Sequence, residues 1–419
     1  MNFTTIKQKI KFLLIWSQKY TKTDMLYLAS GSFWVVIGKI FLSLSAMILS
    51  IAFANLLPSE TFGIYKYVIS LSGIVVAFSL NGYAQALVQA IAKGYQGMLK
   101  VGFKLQLKYS IFIVLASLTL AIYYFIKDNY FLGMSALLLA IFVPLQQSSN
   151  LYKSYLTGEK KFKENTIYDI ITKIIFVASL LTTILLTKNI LLILIVYFLN
   201  TSLVPLFFYR YTIYKEKPND NKDETTTSLA KHLSIINFLG VAIKHFDKIL
   251  VFHYLGAVEL AIYSFAIMPV EQIADLLRSI IRQLGSPKIS LKNITEIKKT
   301  ISYKNLIIFF TAIIIGITYV LIAPYAYNLI FPKYTAAVVY SQFYTLSLIV
   351  LPTILYSQTL ILHAYKKYLY TINLSSNILK LVLLIILIPK YNIWGVIIAV
   401  VTVSYFNSLI TYILFKKTK

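Results

Sequence analysis

The chain has 419 residues, of which 58% are hydrophobic and 13% charged, and its mean hydropathy is +0.74. Apolar runs of about 20 residues recur from end to end, which excludes a soluble globular protein and reads as a series of membrane-spanning helices. Without cysteine there is no disulfide framework, thiolate metal site or catalytic thiol; the formal net charge of +25, which in a soluble protein would suggest nucleic acid, here reads as basic loops on the cytoplasmic side, set against anionic lipid headgroups.

Residues 1–24 are basic and amphipathic. Ile6, Ile10, Leu13 and Leu14 share a face beside Lys7, Lys9, Lys11, Lys19 and Lys22, which predicts an interfacial helix on the inner leaflet rather than a signal peptide. Spans follow at approximately 27–55, 62–90, 106–126, 130–152, 166–187, 190–209, 233–254, 259–281, 304–328, 335–362, 368–388 and 392–414. With the N-terminus inside, 30 of the 40 Lys and Arg residues fall in inner segments and four (Lys127, Lys188, Lys333, Lys390) in outer loops. This asymmetry predicts an all-α polytopic protein of about twelve transmembrane helices, N-in and C-in. The longest polar stretch, 211–232, is a cytoplasmic linker between an N-terminal lobe at 25–210 and a C-terminal lobe at 233–419.

The two lobes repeat. Leu56–Ser70 (LLPSETFGIYKYVIS) pairs with Tyr254–Met268 (YLGAVELAIYSFAIM), and Ser154–Ile170 with Leu360–Ser376, at offsets of about 200 residues. Six helices is an even number, so both halves enter from the same side. Such parallel repeats place substrate sites at their interface near the midplane, and a two-lobed transporter follows.

Charge inside the spans marks that interface. A charge at the middle of a span costs about 2.5–3.5 kcal/mol on insertion scales, so Lys39, Lys173, Lys244, Lys248 and Lys380 are expected to line a cationic lumen suited to a diphosphate. Lysine serves there as a point-charge phosphate ligand without arginine's fork. Lys244, Asp247 and Lys248 share one face of the seventh helix. Asn373, Asn377 and Lys380 form a stripe on the eleventh, either lining the lumen or joining helices. Asp247, Glu271 and Asp275 are candidates for coupling a proton or cation. Local roles compete: Asp169 with Lys173 and Lys244 with Asp247 as intrahelical pairs, Asp275 with Arg278 as an interfacial pair, and snorkelling for Lys66. Glu60 and Glu259 suit helix N-termini, and His245 and His253 suit packing. Pro58, Pro269, Pro324 and Pro352 are candidate kinks; Tyr123, Tyr124, Tyr325 and Tyr327 are candidates for an aromatic belt. No phosphate-binding glycine loop, nucleotide motif or metal cluster is present in the sequence, so neither cofactor nor ATP hydrolysis is expected.

LLPSETFGIY (Leu56–Tyr65), NGYAQALVQAIAKG (Asn81–Gly94), YLTGEKKFKENTIYDII (Tyr155–Ile171), FDKILVFHYLGAVELAIYSFA (Phe246–Ala266), SPKIS (Ser286–Ser290), FPKYTAAVVYSQF (Phe331–Phe343) and LIPKYNIWGVIIAVV (Leu387–Val401) together resemble, in order and over nearly the whole chain, the polysaccharide or O-antigen flippases of the multidrug/oligosaccharidyl-lipid/polysaccharide exporter superfamily. The chain departs from that pattern at Ala261 and Asn392, where the family usually has Gly, and at Gly395-Val396, where it has Gly-Ala. The resemblance implies that a polyprenyl-diphosphate-linked oligosaccharide, a unit of O-antigen, lipopolysaccharide or a similar surface polymer, crosses from inner to outer leaflet of a bacterial cytoplasmic membrane by alternating access. Its implied partners are that lipid-linked diphosphate, membrane lipids, H+ or Na+, and the polysaccharide polymerase and chain-length machinery, with no nucleic acid. Two other functions are weighed against it. A cation-coupled drug or small-molecule exporter would have the same architecture but an acidic, aromatic lumen; six intramembrane Lys against four acids lean toward an anion. A membrane-embedded polymerase or glycosyltransferase needs a sizeable outer loop or paired carboxylates, and the predicted outer connections are a few residues long.

Overall fold

The computed structural model describes residues 25–290, 293–363 and 365–418. The amphipathic segment expected at 1–24 lies outside them. The chain is all-helical, with no strand among the described residues. Apolar length makes the helices, and polar caps and prolines divide them. The first is α1 (Met25–Leu56), after which Pro58, in extended conformation, starts α2 (Ser59–Val75). A short 3-10 turn and Gly82 separate α2 from α3 (Tyr83–Ala92). Next come α4 (Met98–Tyr109), α5 (Ile111–Ile126), α6 (Tyr130–Ser149) and α7 (Leu151–Gly158). The side chain of Asn129 caps α6 by accepting from Leu132 N at 3.0 Å. The helices α8 (Phe162–Leu186) and α9 (Ile190–Glu216) complete this half.

Asp223 caps α10 (Glu224–Ile243), accepting from Thr225 N at 3.1 Å. The stretch expected as a linker at 211–232 is therefore mostly helix, with 217–223 left between α9 and α10. The second half continues with α11 (Phe246–Leu255), α12 (Ala257–Ser290), α13 (Ile294–Ile330), α14 (Ala337–Tyr344), α15 (Thr353–Leu362) and α16 (Lys366–Lys416). Pro352 stands where the chain bends by 49° into α15, the kink expected of it. At about 1.5 Å per residue, the 51 residues of α16 are too long for one crossing of a hydrocarbon layer of about 30 Å. Asn392, at φ 51° and ψ −130°, breaks it. Nine helices among the described residues are long and apolar enough to cross a membrane, ten if the bent pair around Pro352 is one span. The protein is a multi-pass membrane protein.

The first half packs α1 along α8, and α6 against α5 and α9; the second packs α12 against α14 and α15, and α16 against α11 and α15. The halves meet where the sequence repeats. Repeat-equivalent α2 and α12 lie side by side, so close that a Cβ on Gly63 would fall 1.8 Å from Ala257 O. Phe62 stacks near Phe265 (ring centroids 4.7 Å apart), and Phe265 against Tyr334 (4.0 Å). Beside them Asn55 Nδ2 donates to Ile330 O (2.9 Å) and Lys333 Nζ to Asn55 O (2.8 Å). At this end of the molecule the two halves are in direct contact. The aromatic belt divides: Tyr123 and Tyr325 are exposed, but Tyr124 bonds Tyr67 and Tyr327 is buried, donating to Phe265 O at 2.8 Å. A helix shows two faces at similar hydropathy, and periodicity alone did not separate these tyrosines.

Candidate functional site

The seventh predicted span is two helices. The apolar run is interrupted by Lys244 and His245, where α10 ends and α11 begins two residues later. His245 N bonds back three residues to Ala242 O (3.3 Å), tightening the last turn. The His245 ring packs on α2, where a Cβ on Gly73 would come within 2.4 Å of it, so its role is packing, as expected. The break corrects one expectation: Lys244, Asp247 and Lys248 do not share a face. Lys244 is exposed and lines a cavity at the side of α10, whereas Asp247 and Lys248 turn into the protein.

Asp247 is 4% exposed, in the first turn of α11, where the helix N-terminus favours a carboxylate. Its Oδ2 accepts from Tyr263 Oη at 2.7 Å, with Lys248 Nζ at 3.4 Å. Its Oδ1 has Lys380 Nζ at 3.4 Å. Lys380 also donates to Ile243 O (3.2 Å), the last carbonyl of α10, so one ammonium joins the break in the seventh span to α16. Burying a lone carboxylate costs several kcal/mol; here two cations and a hydroxyl offset it, and one positive charge is left over. Lys66 and Glu271 lie within electrostatic reach of Lys248, and Lys173 within reach of Lys66. Glu271 is exposed, while Lys66, Lys173 and Lys248 are half-buried. Pair by pair, four ammonium groups (Lys66, Lys173, Lys248, Lys380) and two carboxylates (Asp247, Glu271) are linked by ion pairs or electrostatic reach.

The other expected residues are dispersed. Asp169 pairs with Lys153 (2.6 Å), not with Lys173; Lys173 instead lies 4.8 Å from the Phe176 ring centroid. Asp275 pairs with Arg278 at 3.1 Å, the interfacial pair weighed against coupling. Lys39 is exposed on α1, one turn before Ser43, which lines a cavity of about 310 Å³ between α1, α12 and α13. Asn373 and Asn377 line the same cavity as Lys244, away from Asp247. Two residues escaped the sequence reading. Lys66, expected to snorkel because it lies near the outer end of its helix, sits over the ring of Phe62, one turn nearer that end (5.3 Å), and is half-buried within electrostatic reach of Lys248 and Glu271 of the second half. Tyr263 reads as one more aromatic, yet its hydroxyl closes the Asp247 site; its repeat counterpart Tyr65 was the available signal. No group of three or more His, Asp or Glu side chains able to hold a metal occurs among the described residues.

A family model described as "Polysaccharide biosynthesis protein" matches residues 28–281, more than half of the chain. No curated protein matches it in sequence. Solved structures share its fold over nearly the whole length. One is a multidrug resistance MATE family transporter of the MOP superfamily in an outward-facing conformation, with a TM-score of 0.63, 13% identity, and 93% of this chain and 94% of that chain covered. A eukaryotic MATE transporter gives a TM-score of 0.63 at 12% identity, covering 94% and 95%. A MOP superfamily transporter from Pyrococcus furiosus, whose binding pocket is described as of reverse polarity, gives 0.60 at 12% identity, covering 93% and 94%.

Proposed function

Because the chain belongs to the polysaccharide biosynthesis protein family, we propose that it is a flippase, not an enzyme, that moves a polyprenyl-diphosphate-linked oligosaccharide from the inner to the outer leaflet. The observation that supports this reading is the set of lysines Lys66, Lys173, Lys248 and Lys380 linked, pair by pair, to one another and to Asp247 and Glu271. An excess of half-buried ammonium groups attracts a diphosphate, and their single-point hydration-rich contacts let it leave again. Coupling to H+ or Na+ belongs to Asp247 and Glu271 in this reading. Twelve spans in two six-helix lobes, N-in and C-in, follow if α10 with α11 is one span and α16 is two, and the end bearing Lys333 is then the outer one. The location is a bacterial cytoplasmic membrane, with the polymerase and chain-length machinery as partners at the outer face.

Removing the protein is expected to accumulate the lipid-linked oligosaccharide on the inner leaflet. Lys248→Ala and Lys380→Ala should each lower surface polymer at least tenfold at near-normal membrane levels, with Lys→Arg retaining part of the activity. Unchanged lipid intermediates together with new sensitivity to organic cations would select the drug-exporter reading instead.

A further inference from the structure

Between α10 and α16 the helices part and leave a cavity of about 680 Å³, within the range of ligand pockets. Its walls are apolar, from Ile236, Leu239, Val241 and Leu374, with Lys244, Lys367, Asn373 and Asn377 among them. No carboxylate lines it, and neither lysine is in an ion pair among the described residues. Contacts between α10 and α16 stand at both ends. Tyr370 Oη meets His232 Nε2 at 3.4 Å at one end, and Lys380 reaches Ile243 O at the other. At Gly240, midway, a Cβ would find only Asn377 Nδ2, at 3.7 Å, so the gap is open there. It exists because the break at Lys244 and His245 frees α10 to pack on the other half, where Gly82 N donates to Ser234 Oγ at 2.9 Å.

We propose that this side groove is the entry site of the lipid-linked substrate, a deduction that rests on the flippase reading above. Lys367, at the His232 end, receives the diphosphate of a polyprenyl lipid, Lys244 takes it at the Ile243 end, and the apolar wall between them takes the first part of its chain. The chemistry fits one occupant: a headgroup of concentrated negative charge on an apolar tail. One unpaired ammonium group at each end supplies countercharge, and four aliphatic side chains supply the apolar surface between them. Lys244 is the residue before His245, three from Asp247, so a headgroup released by Lys244 lies next to the break that leads to Lys248 and Lys380. Thus the groove and the interior cluster form successive cationic stations on one route.

The chain lacks cysteine, so full-length Asn377→Cys can be probed alone in detergent with a water-soluble maleimide. Polyprenyl diphosphate without sugar should slow labelling about tenfold, whereas phosphatidylglycerol and inorganic diphosphate should not. Adding Lys244→Ala and Lys367→Ala should abolish the protection. Equal protection by phosphatidylglycerol, or protection that survives loss of both lysines, would overturn the proposal. Total binding of the radiolabelled lipid separates the two layers of argument. Binding without protection at position 377 overturns the groove and leaves the flippase reading standing; no binding at all overturns both.

Discussion

At Asp247 the two carboxylate oxygens divide their partners: Tyr263 and Lys248 on Oδ2, Lys380 on Oδ1. Charge and hydrogen bonding are thus separable by substitution. Tyr263→Phe removes one donor to a charged acceptor and leaves both ion pairs, a loss of about 1.5–3 kcal/mol, so transport should weaken while its dependence on pH and cations stays as it was. Asp247→Asn keeps the shape but removes the counter-charge of two ammonium groups. It should change the pH or cation dependence of transport in proteoliposomes more than it changes expression. An unchanged profile in both respects would reduce Asp247 to a structural ion-pair residue. The seventh span alone did not disclose this triad, because Tyr263 and Lys380 come from α12 and α16.

The helix break and the chain reversal carry the next level. In α16, Asn392 adopts a positive φ with an extended ψ, a conformation that costs a non-glycine residue about 1–3 kcal/mol. Three residues on, a Cβ at Gly395 would sit 2.1 Å from Leu387 O, so the two arms of α16 touch through that glycine. The resemblance noted above puts glycine at both places, and this chain keeps only the second. Asn392→Gly should raise the apparent melting temperature of the purified protein by a few degrees, and Gly395→Ala should lower it. A melting shift of the opposite sign in either variant would contradict this account of the reversal.

Across the whole molecule, the two halves close on each other at the end where Lys333 of the second half donates to Asn55 O and Leu57 O at the end of α1. Glycine 63 permits that contact by letting α2 reach Ala257 O. If the proposed flippase works by alternating access, this seam would have to part in every cycle. Bridging Asn55→Cys to Lys333→Cys with a short bifunctional thiol reagent should arrest transport in the cysteine-free background, while each single variant treated alike should keep its activity. Full activity after complete bridging would show the seam to be static.

The sequence by itself determined the class. A hydrocarbon layer tolerates backbone only when its hydrogen bonds are internal, so apolar length sufficed for an all-helical, multi-pass chain, and the pairing of Leu56–Ser70 with Tyr254–Met268 was legible as a repeat, whereas the contact between those two segments came from the structure. Local rules also sufficed for Glu60 and Glu259 in first turns and for Asp275 with Arg278. Only the tertiary structure decided which intramembrane lysines meet. Helical periodicity placed Lys244 beside Asp247, but a two-residue interruption rotates the following helix away, and no pattern within one span records that rotation. Likewise Lys66 reads as an outer-end lysine until the second half packs over it, and Asp169 prefers Lys153 of α7 to its own helix neighbour. Spacing fixes which face of a helix a charge occupies; whether that face meets lipid, a carboxylate or an open groove is fixed by the helices packed against it.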